Sequence, residues 1–427
     1  MGRMLRCAVV SAIGLLFAVL SVYASGSAEK ATTPATVAGK SGSVTMWDFP
    51  LTANDQKLFE PLIRSFTEKY PKISVNVQVI PWNGRYEKML AAIAGGDPPN
   101  VVYLNSFQIP LFASTGNLVN MSATMPASDL ASYNPGALKA LTYNGKVYAV
   151  PILTENLGYF YNVDLFRKAG LDPNNPPQTW RELEHALKVL TVKDAQGNTV
   201  QWGGEFDLNR PSPITSILPF VWQAGGETLD SSGNVVIDSP AAVRALTFIK
   251  GLFDKGYIQK SDISGGGLHF ASGKIGIDLQ MEPFDVAKVA KENPNLNFKV
   301  GPILRDNKKI GYVTVGAYGI FSKASDRGAA VQWLTYLTNK ANTLYILKNT
   351  GFMSPRTDLK PAEYLTDPRL VFMASQAKWA TGTGPISTHY AQILNVLGSS
   401  FNSIILGIKS PQQGLDEAAA QIKSIVK

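Results

Sequence analysis

The sequence predicts an α/β protein built from two lobes. Strand-like and helix-like patterns alternate along it, and its 427 residues exceed one typical domain of about 100 to 200 residues. Its 45% hydrophobic and 17% charged residues are typical of an ordinary globular protein, and not of a disordered chain or a multi-span membrane protein. Cys7 is the single cysteine, which excludes an intramolecular disulfide and a cysteine-based zinc site.

The N-terminal segment has the pattern of an export signal. Basic residues precede an uncharged apolar run from Cys7 to Leu20, and small residues follow at Val22 and Ala24. We therefore predict a signal peptide over residues 1–24, with an uncleaved membrane anchor as the alternative. Residues 25–42 are rich in small and polar side chains, which predicts a flexible tether. The protein is expected in the periplasm or on the extracytoplasmic face of the cell envelope.

The first lobe is predicted from a run of alternating elements. Ser43–Trp47 has the pattern of a buried strand, and apolar residues recur at helical spacing over Leu58–Phe66. Strict alternation over Ile73–Val79 predicts a second strand, Tyr86–Ile93 a second helix and Val101–Leu104 a third strand. A β-α-β-α-β order favours a parallel, helix-covered sheet, whose ligands bind at the carboxyl ends of its strands.

The second lobe is predicted from later signals. Thr179 and Glu182 form a capping box at the start of an apolar helical pattern. Pro240 occupies a first helical position after Ser239 and opens another helix. Apolar spacing from Trp333 to Tyr345 predicts one long late helix, and a similar pattern predicts a C-terminal helix.

The positive charge is spread along the chain. The formal net charge is +8, and removal of residues 1–24, which carry two arginines and no acids, leaves 38 basic against 32 acidic residues, or +6. Binding to a phosphate backbone requires basic residues gathered on one face or one helix, and no helix pattern here carries such a stripe. We expect no nucleic-acid partner.

Catalytic motifs are scarce. No Gly-x-Ser-x-Gly elbow is present, and the three histidines at positions 185, 269 and 389 are too far apart to form a metal-binding motif. The remaining catalytic option is a carboxylate pair in a secreted glycosidase or polysaccharide lyase. The candidates for that pair are Glu155, Asp207, Asp278 and Glu282.

Aromatic and polar residues are concentrated where predicted strands end. Trp47-Asp48-Phe49 ends the first strand and Asn105-Ser106-Phe107 ends the third, while Trp222, Phe284 and Tyr318 follow later apolar runs. Sugar rings pack their C–H faces on aromatic rings, and their hydroxyl groups need carboxylate, amide or guanidinium partners. This inventory suits a saccharide or a polyol. The alternative for each aromatic residue is a place in the core.

Ordered motifs then identify a family. The segments Tyr143–Pro151, Gly158–Phe166 and Pro177–Leu183, followed by Phe270–Lys274 and Gly351–Arg356, have the order and spacing of a known set. From about Ser43 to Lys427 the chain resembles the extracellular solute-binding proteins of ATP-driven carbohydrate importers.

The resemblance implies a two-lobed periplasmic-binding-protein fold of type II, with a ligand cleft between lobes joined by a hinge that the chain crosses repeatedly. It places lobe 1 at residues 43–153 plus 314–353 and lobe 2 at 154–313 plus 354–427. The implied crossings fall at Thr154–Asn156, Thr314–Ala317 and Met353–Arg356.

The resemblance also implies a function without catalysis. The protein would capture a sugar, whether a mono- or oligosaccharide, a polyol or a glycerol-phosphate-like compound, and deliver it to the membrane permease subunits of an ABC importer. Hinge closure would enclose the ligand, and the permease would recognise the closed form. We expect a monomer that needs no cofactor and no metal.

Fourteen residues are the expected ligand-binding set. Arg356 among them could pair with a carboxylate or phosphate, so that an acidic sugar or glycerol phosphate remains an alternative to a neutral sugar. The set is Trp47, Asp48, Phe49, Asn105, Ser106, Phe107, Glu155, Asn156, Asp207, Trp222, Glu282, Phe284, Tyr318 and Arg356.

Overall fold

The structure is a computed structural model. Its described residues form two large β-sheets, each packed against helices. The described residues are 41–51, 55–82, 84–206, 217–259, 269–382, 384–385 and 387–426. The predicted signal peptide, nearly all of the predicted tether and Asp207 lie outside these residues. Within the described ranges, no helix has both the length and the apolar character needed to cross a membrane.

The N-terminal part follows the predicted β-α-β-α-β order. Its elements are β1 (Gly42–Asp48), α1 (Asp55–Lys69), β2 (Ile73–Val79), α2 (Arg85–Gly95), β3 (Val101–Asn105), α3 (Ile109–Ser114), α4 (Ala127–Leu130), α5 (Pro135–Ala140), β4 (Thr142–Tyr143), β5 (Lys146–Val147) and β6 (Val150–Asn156).

The middle part builds a second sheet and its helices. Its elements are β7 (Gly158–Asn162), α6 (Val163–Lys168), α7 (Trp180–Leu190), β8 (Val192–Lys193), β9 (Thr199–Glu205), α8 (Leu218–Ala224), α9 (Pro240–Asp254), β10 (Ile275–Met281), α10 (Pro283–Glu292) and β11 (Phe298–Gly301). The predicted capping box at the start of α7 is confirmed, because the side chains of Thr179 and Glu182 accept hydrogen bonds from each other's backbone N–H groups.

The C-terminal part adds two strands to the first sheet and helices to the cores of both sheets. Its elements are β12 (Gly311–Ile320), α11 (Arg327–Leu337), α12 (Lys340–Thr350), α13 (Pro368–Ser375), β13 (Ala380–Gly382), α14 (Tyr390–Ile405) and α15 (Pro411–Ile425). The prediction of one long helix through Trp333 and Tyr345 was wrong, because α11 and α12 are separate. The Asn339 side chain accepts a hydrogen bond from the Asn342 N–H at 2.9 Å and so starts a new helix.

The first sheet has the order β13-β12-β3-β1-β2, and β6 also pairs with β12. Strand β1 runs parallel to both β2 and β3, whereas β12 runs antiparallel to β3 and β6. The carboxyl ends of β1, β2 and β3 therefore share one edge of the sheet, which is where a parallel sheet offers its ligand crevice.

The second sheet has the order β11-β7-β10-β9-β8. Strands β9 and β10 are parallel, while β7 runs antiparallel to β10 and β11. Each sheet has its own apolar cores. Trp333 and Phe66 are buried with residues of the first sheet, and Leu187 and Phe401 are buried with residues of the second.

Three chain segments that are distant in sequence lie next to one another in the structure. Strands β6 and β12 pair Glu155 with Thr314 and Asn156 with Val313. Thr154 and Met353 exchange two backbone hydrogen bonds of 2.8 and 3.0 Å. The three segments expected to cross between the lobes therefore lie side by side, as a hinge of several strands requires.

The last part of the chain is divided between the two cores. Leu359, Tyr364 and Leu365 are buried in the core of the first sheet, although the predicted boundary at residue 354 assigns them to lobe 2. Helices α14 and α15 pack in the core of the second sheet, as that boundary expects. The chain thus contributes residues to the first core as far as Leu365, although Met353 packs with residues of the second sheet.

Candidate ligand cleft

An aromatic platform lies at the carboxyl ends of β1 and β2. The rings of Phe49 and Trp82 stack with their centroids 5.1 Å apart at an interplanar angle of 25°. Phe49 is fully buried, whereas Trp82 keeps 39% of its surface exposed. Arg85, the first residue of α2, places its guanidinium carbon 4.4 Å from the centroid of the Trp82 ring and 5.0 Å from that of Phe49. These cation–π contacts fix the guanidinium group beside an exposed indole face.

The Arg85 guanidinium group retains hydrogen-bonding capacity. Its Nη1 atom is buried, and it finds no hydrogen-bond partner among the described residues. Burial lowers the pKa of Arg85, and nearby Tyr103, Tyr390, Tyr312 and Glu155 act in the opposite direction. Arg85 nevertheless remains charged, because an arginine side chain keeps its proton in proteins. A buried, charged N–H without an acceptor is costly, so this group is prepared to donate to a ligand.

Tyrosine and glutamate side chains lie within electrostatic range of the guanidinium group. Burial raises the pKa of Tyr103 well above its ordinary value, and the charges of Glu155, Asp48 and Glu282 raise it further, against Arg85. Burial likewise raises the pKa of Tyr312, with Glu155 as the next cause. Both phenols therefore stay protonated, and they remain neutral hydrogen-bonding groups within electrostatic range of Glu155 and Glu282.

Tyr103 reaches this position because Gly316 has no side chain where the Tyr103 hydroxyl group lies. A Cβ atom on Gly316 would lie 2.0 Å from the Tyr103 hydroxyl oxygen, which is far inside contact distance. The two residues belong to β3 and β12, which pair in the first sheet. A larger residue at position 316 would force the tyrosine out of its place.

A second aromatic pair links the two sheets. Phe107 lies directly after β3, and Tyr390 begins α14, whose residues pack in the core of the second sheet. Their rings stack with centroids 4.3 Å apart and an interplanar angle of 10°. The short helix after β3 holds Phe107 in place, because the Gln108 side chain accepts the Asn105 N–H at 2.9 Å. The Val315 N–H points at the Ser106 hydroxyl at 3.5 Å.

Asp48 and Tyr318 form an internal pair in the first core. Both are fully buried, and the Tyr318 hydroxyl donates to Asp48 Oδ1 at 3.1 Å. Burial raises the pKa of Asp48 well above its ordinary value, and the charge of Asp55 adds to this. The ring of Tyr318 offers no face to a ligand here, in contrast to the expectation from sequence. Trp47 is partly buried beside this pair and donates from Nε1 to Gln78 Oε1 at 3.1 Å.

Arg356 is fully engaged inside the protein. Its Nε and Nη2 donate to the two carboxylate oxygens of Asp358, each at 2.9 Å, and Nη1 donates to the Thr338 carbonyl at 3.1 Å. The guanidinium also lies over the Tyr133 ring, 5.1 Å from its centroid, and the side chain is 9% exposed. The sequence predicted that Arg356 could bind a ligand carboxylate or phosphate, but in the structure its guanidinium group binds Asp358 instead.

The remaining predicted residues are divided between core, hinge and surface. Trp222 is 2% exposed, and the backbone of β13 covers its ring so closely that a Cβ on Gly382 would lie 2.2 Å away. Asn156 donates from Nδ2 to the Met373 carbonyl at 2.8 Å. Phe284 is 39% exposed at the start of α10, where Glu282 is the capping residue.

Of the carboxylates proposed for catalysis, the three within the described residues, Glu155, Asp278 and Glu282, lie on different elements. Asp278 pairs in register with Glu205 on β10 and β9, and Glu205 Oε1 lies 3.0 Å from His269 Nδ1. Glu155 lies in the hinge and Glu282 begins α10. Across the ranges that the structure describes, no group of three or more His, Cys, Asp or Glu residues is arranged to hold a metal ion.

Sequence reasoning missed four residues of this region: Trp82, Arg85, Tyr312 and Tyr390. A signal for two of them was present. Trp82 and Arg85 follow β2 directly, as Phe49 follows β1 and Phe107 follows β3, so the same rule about strand ends would have found them. Tyr312 and Tyr390 come from distant segments, and only the fold brings them here.

Comparisons with known proteins agree with this architecture. The family of bacterial extracellular solute-binding proteins matches residues 50–343, more than half of the chain. A Listeria monocytogenes ABC substrate-binding protein in complex with cycloalternan has a TM-score of 0.78 and 23% identity, covering 90% of this chain and 99% of that one. A Thermotoga lettingae solute-binding protein bound with alpha-D-tagatose has a TM-score of 0.78 and 24% identity, covering 91% and 100%.

A curated relative has a different ligand in its name. The sn-glycerol-3-phosphate-binding periplasmic protein of Pectobacterium atrosepticum is 21% identical over 412 residues, which cover 86% of this chain and 88% of the relative. The solved structures establish the predicted type II periplasmic-binding-protein fold. Because the matched family consists of binding proteins, the alternative of a secreted glycosidase or lyase is not supported. The chain belongs to the bacterial extracellular solute-binding proteins.

Proposed function

We propose that this protein captures a neutral sugar between its two lobes and delivers it to the membrane permease of an ABC importer. The observation that carries the proposal is the Arg85 guanidinium group, whose buried Nη1 has no partner among the described residues and lies beside the exposed ring of Trp82. An aromatic face beside a charged donor is the arrangement that packs a sugar ring and hydrogen-bonds its hydroxyl groups.

The charge of the region favours a neutral sugar over an anionic one. Arg85 is a cation of this region, and Glu155 and Glu282 both lie within electrostatic range of Tyr103 near it. Whatever else these carboxylates contact, their negative charge opposes a phosphate or a sugar acid. Arg356, the other candidate anion partner, is already bound to Asp358. Neutral hydroxyl groups can donate to carboxylates and accept from a guanidinium group at the same time.

The known proteins give mixed but informative support. Two solved structures of the same fold hold the sugars cycloalternan and tagatose, which are neutral carbohydrates. The relative named for sn-glycerol-3-phosphate represents the anionic alternative. Because all three are less than 25% identical to this chain, the charge of the local cleft is the stronger argument for its ligand.

The division into lobes fits this role. We infer that residues 43–153 with 314–353 and residues 154–313 with 354–427 form the two lobes, with the segment from Leu359 to Leu365 added to the first. The pairing of β6 with β12 supports a hinge at Glu155 and Thr314. Ligand that contacts both lobes would favour the closed form, which the permease then recognises in a monomeric, exported protein.

A titration with three ligand classes tests the proposal. Purified protein is titrated in a calorimeter with neutral mono- and oligosaccharides, with sugar acids and with sn-glycerol 3-phosphate. We expect binding of a neutral sugar without its consumption, and at least tenfold weaker binding of each anionic class. Preferential binding of sn-glycerol 3-phosphate or a sugar acid would contradict the neutral class, and turnover of the sugar would contradict a binding role.

Two variants locate the binding site. Arg85→Gln should weaken sugar binding because it removes the charged donor from the cleft. Arg356→Gln is the matched control, since it removes a guanidinium group that is occupied internally. Equal sugar affinity of the two variants would mean that Arg85 does not contact the ligand.

A further inference from the structure

A group of cations gathers around one indole ring next to β12 and β13. Lys309 Nζ lies 3.6 Å from the centroid of the Trp379 ring, and Lys378 Nζ lies 4.2 Å from it. The two ammonium nitrogens are therefore less than about 8 Å apart, well within the roughly 10 Å screening length of dilute salt. We call Arg305, Lys309, Lys378 and Trp379 the Trp379 cluster.

Two distant chain segments build the Trp379 cluster. Arg305 and Lys309 face each other across a turn, through an isolated antiparallel bridge just before β12. Trp379 directly precedes β13, whose first residue, Ala380, pairs with Gly311 of β12. The pairing of β12 with β13 thus brings the basic turn over the indole ring. The fold, and not a run of basic residues in the sequence, creates this concentration of positive charge.

The positive charge of the Trp379 cluster is not neutralised within the described part of the chain. Asp306 lies beside the cluster but pairs with Arg244 at 2.6 Å. Glu227 faces Lys308. Among the described residues, no carboxylate forms an ion pair with any of the three cations of the cluster.

Crowding has a visible effect on Lys309. Partial burial lowers the pKa of this lysine, and repulsion from Lys378 and Arg305 lowers it further. Like charges held together without a counter-charge raise the energy of the folded protein, and an anion placed between them would relieve this.

We propose that the Trp379 cluster is a binding site for a phosphate group. One tetrahedral oxyanion can accept charge-assisted hydrogen bonds from more than one cationic side chain. The Arg305 guanidinium adds a forked donor of the kind that matches phosphate oxygens. The phosphate group comes either from free inorganic phosphate or from a phospholipid headgroup at the membrane surface, where this importer component would work. The inference does not depend on the sugar proposed for the cleft.

Titration with inorganic phosphate at low ionic strength tests the site. We expect phosphate to bind to the purified protein. In the double variant Lys309→Gln/Lys378→Gln, the affinity for phosphate should fall at least fivefold. The double variant Lys139→Gln/Lys146→Gln is the matched control, because it removes two exposed lysines elsewhere and the same net charge. It should retain the phosphate affinity of the unmodified protein within twofold.

A second comparison separates the two sources of phosphate. Sedimentation is measured with vesicles of pure phosphatidylcholine and with vesicles containing phosphatidylglycerol in addition. Binding to the second kind alone, lost in Lys309→Gln/Lys378→Gln, identifies a lipid headgroup. Binding of inorganic phosphate without vesicle binding identifies the free anion.

Three results would overturn the inference. One is the absence of binding to both inorganic phosphate and anionic vesicles. Another is an equal loss of affinity in the cluster variant and in the Lys139→Gln/Lys146→Gln control, which would indicate net charge alone. The third is loss of phosphate binding in Arg85→Gln with retention in the cluster variant, which would place the anion in the sugar cleft. Unfolding temperature without phosphate provides a fold control, and removal of the crowded charges should not lower it.

Discussion

The surroundings of Arg85 and Arg356 are two regions that differ in what their guanidinium groups contact. Arg356 donates to both oxygens of Asp358 and to the Thr338 carbonyl, so its hydrogen bonds are used within the protein. Arg85 is held by the rings of Phe49 and Trp82, and its buried Nη1 has no acceptor among the described residues. Ring contacts position a guanidinium group without using its donors, whereas carboxylate contacts use them. The first arrangement favours ligand binding and the second favours stability.

Replacement of Arg85 should have the largest effect on binding. In Arg85→Met, loss of a charged hydrogen-bond donor in the cleft should weaken the sugar affinity by about 2 kcal/mol, or roughly thirtyfold. The stability of the free protein should be unchanged or slightly higher, because a buried N–H without an acceptor is removed. Calorimetric titration and urea unfolding measure the two quantities. A large loss of stability would show that Arg85 is structural like Arg356.

Replacement of Arg356 should give the opposite result. In Arg356→Met, the loss of the bonds to Asp358 and Thr338 should lower the free energy of unfolding by about 2 kcal/mol. Asp358 is partly exposed, so water replaces part of what its carboxylate loses. Sugar affinity should stay within twofold of the original. If affinity fell while the urea midpoint stayed constant, the assignment of Arg356 to stability would fail.

Removal of the exposed indole should have an intermediate effect. Trp82→Ala takes away the ring that is open to a ligand, and we expect a loss of affinity of about 1.5 kcal/mol. Tyr318→Phe is the matched aromatic change in the core, because it removes only the hydroxyl that donates to Asp48. It should lower the urea midpoint and leave binding unchanged. Equal affinities of Trp82→Ala and the original protein would exclude the platform as the sugar site.

The buried carboxyl of Asp48 should make stability depend on pH, with the smallest effect of the four. Its pKa is raised above the ordinary value of 3.8, so the folded protein keeps a proton that the unfolded chain has already lost. This contribution to stability is therefore greatest at low pH and declines as pH rises toward the folded pKa. Between pH 5 and 6 the decline is at most about 1.4 kcal/mol.

The measurement compares urea unfolding of the original protein and Asp48→Asn at those two pH values. The difference between the two proteins in this pH-dependent change of unfolding free energy is the contribution of Asp48, because the other titrating groups are common to both proteins. We expect the original protein to lose more stability than Asp48→Asn on going from pH 5 to 6. An equal loss would mean that Asp48 is ionised in the folded state.

Local patterns in the sequence were sufficient for much of the fold. The alternating residues of β2 and the helical spacing in α1 predict these elements, because strand and helix periods place apolar side chains on one face. The capping box at Thr179 is a contact between near neighbours and is equally visible. The break between α11 and α12 was missed because Asn339 is a weak signal inside a continuous apolar pattern.

The candidate cleft was harder to predict from the same sequence. Phe49 and Phe107 were predicted from their places at strand ends, and both lie near the sheet edge that the parallel strands define, although Phe49 is fully buried. Tyr312 and Tyr318 occupy equivalent faces of β12 by their spacing, yet Tyr312 is buried in the core of the second sheet and Tyr318 in the core of the first. The register of the pairing between β12 and β6 shifts between Gly316 and Ala317, and no local sequence pattern predicts this shift.

The sequence by itself determined the alternating α/β order and the family, because both depend on spacing between residues that are near each other along the chain. The tertiary structure decided which charged and aromatic side chains remain available. Arg356 and Trp222 became internal because distant segments supplied Thr338 and the backbone of β13 as partners. Arg85 was left with its donor unused, since burial and hydrogen bonding depend on what packs against a residue and not on its own identity.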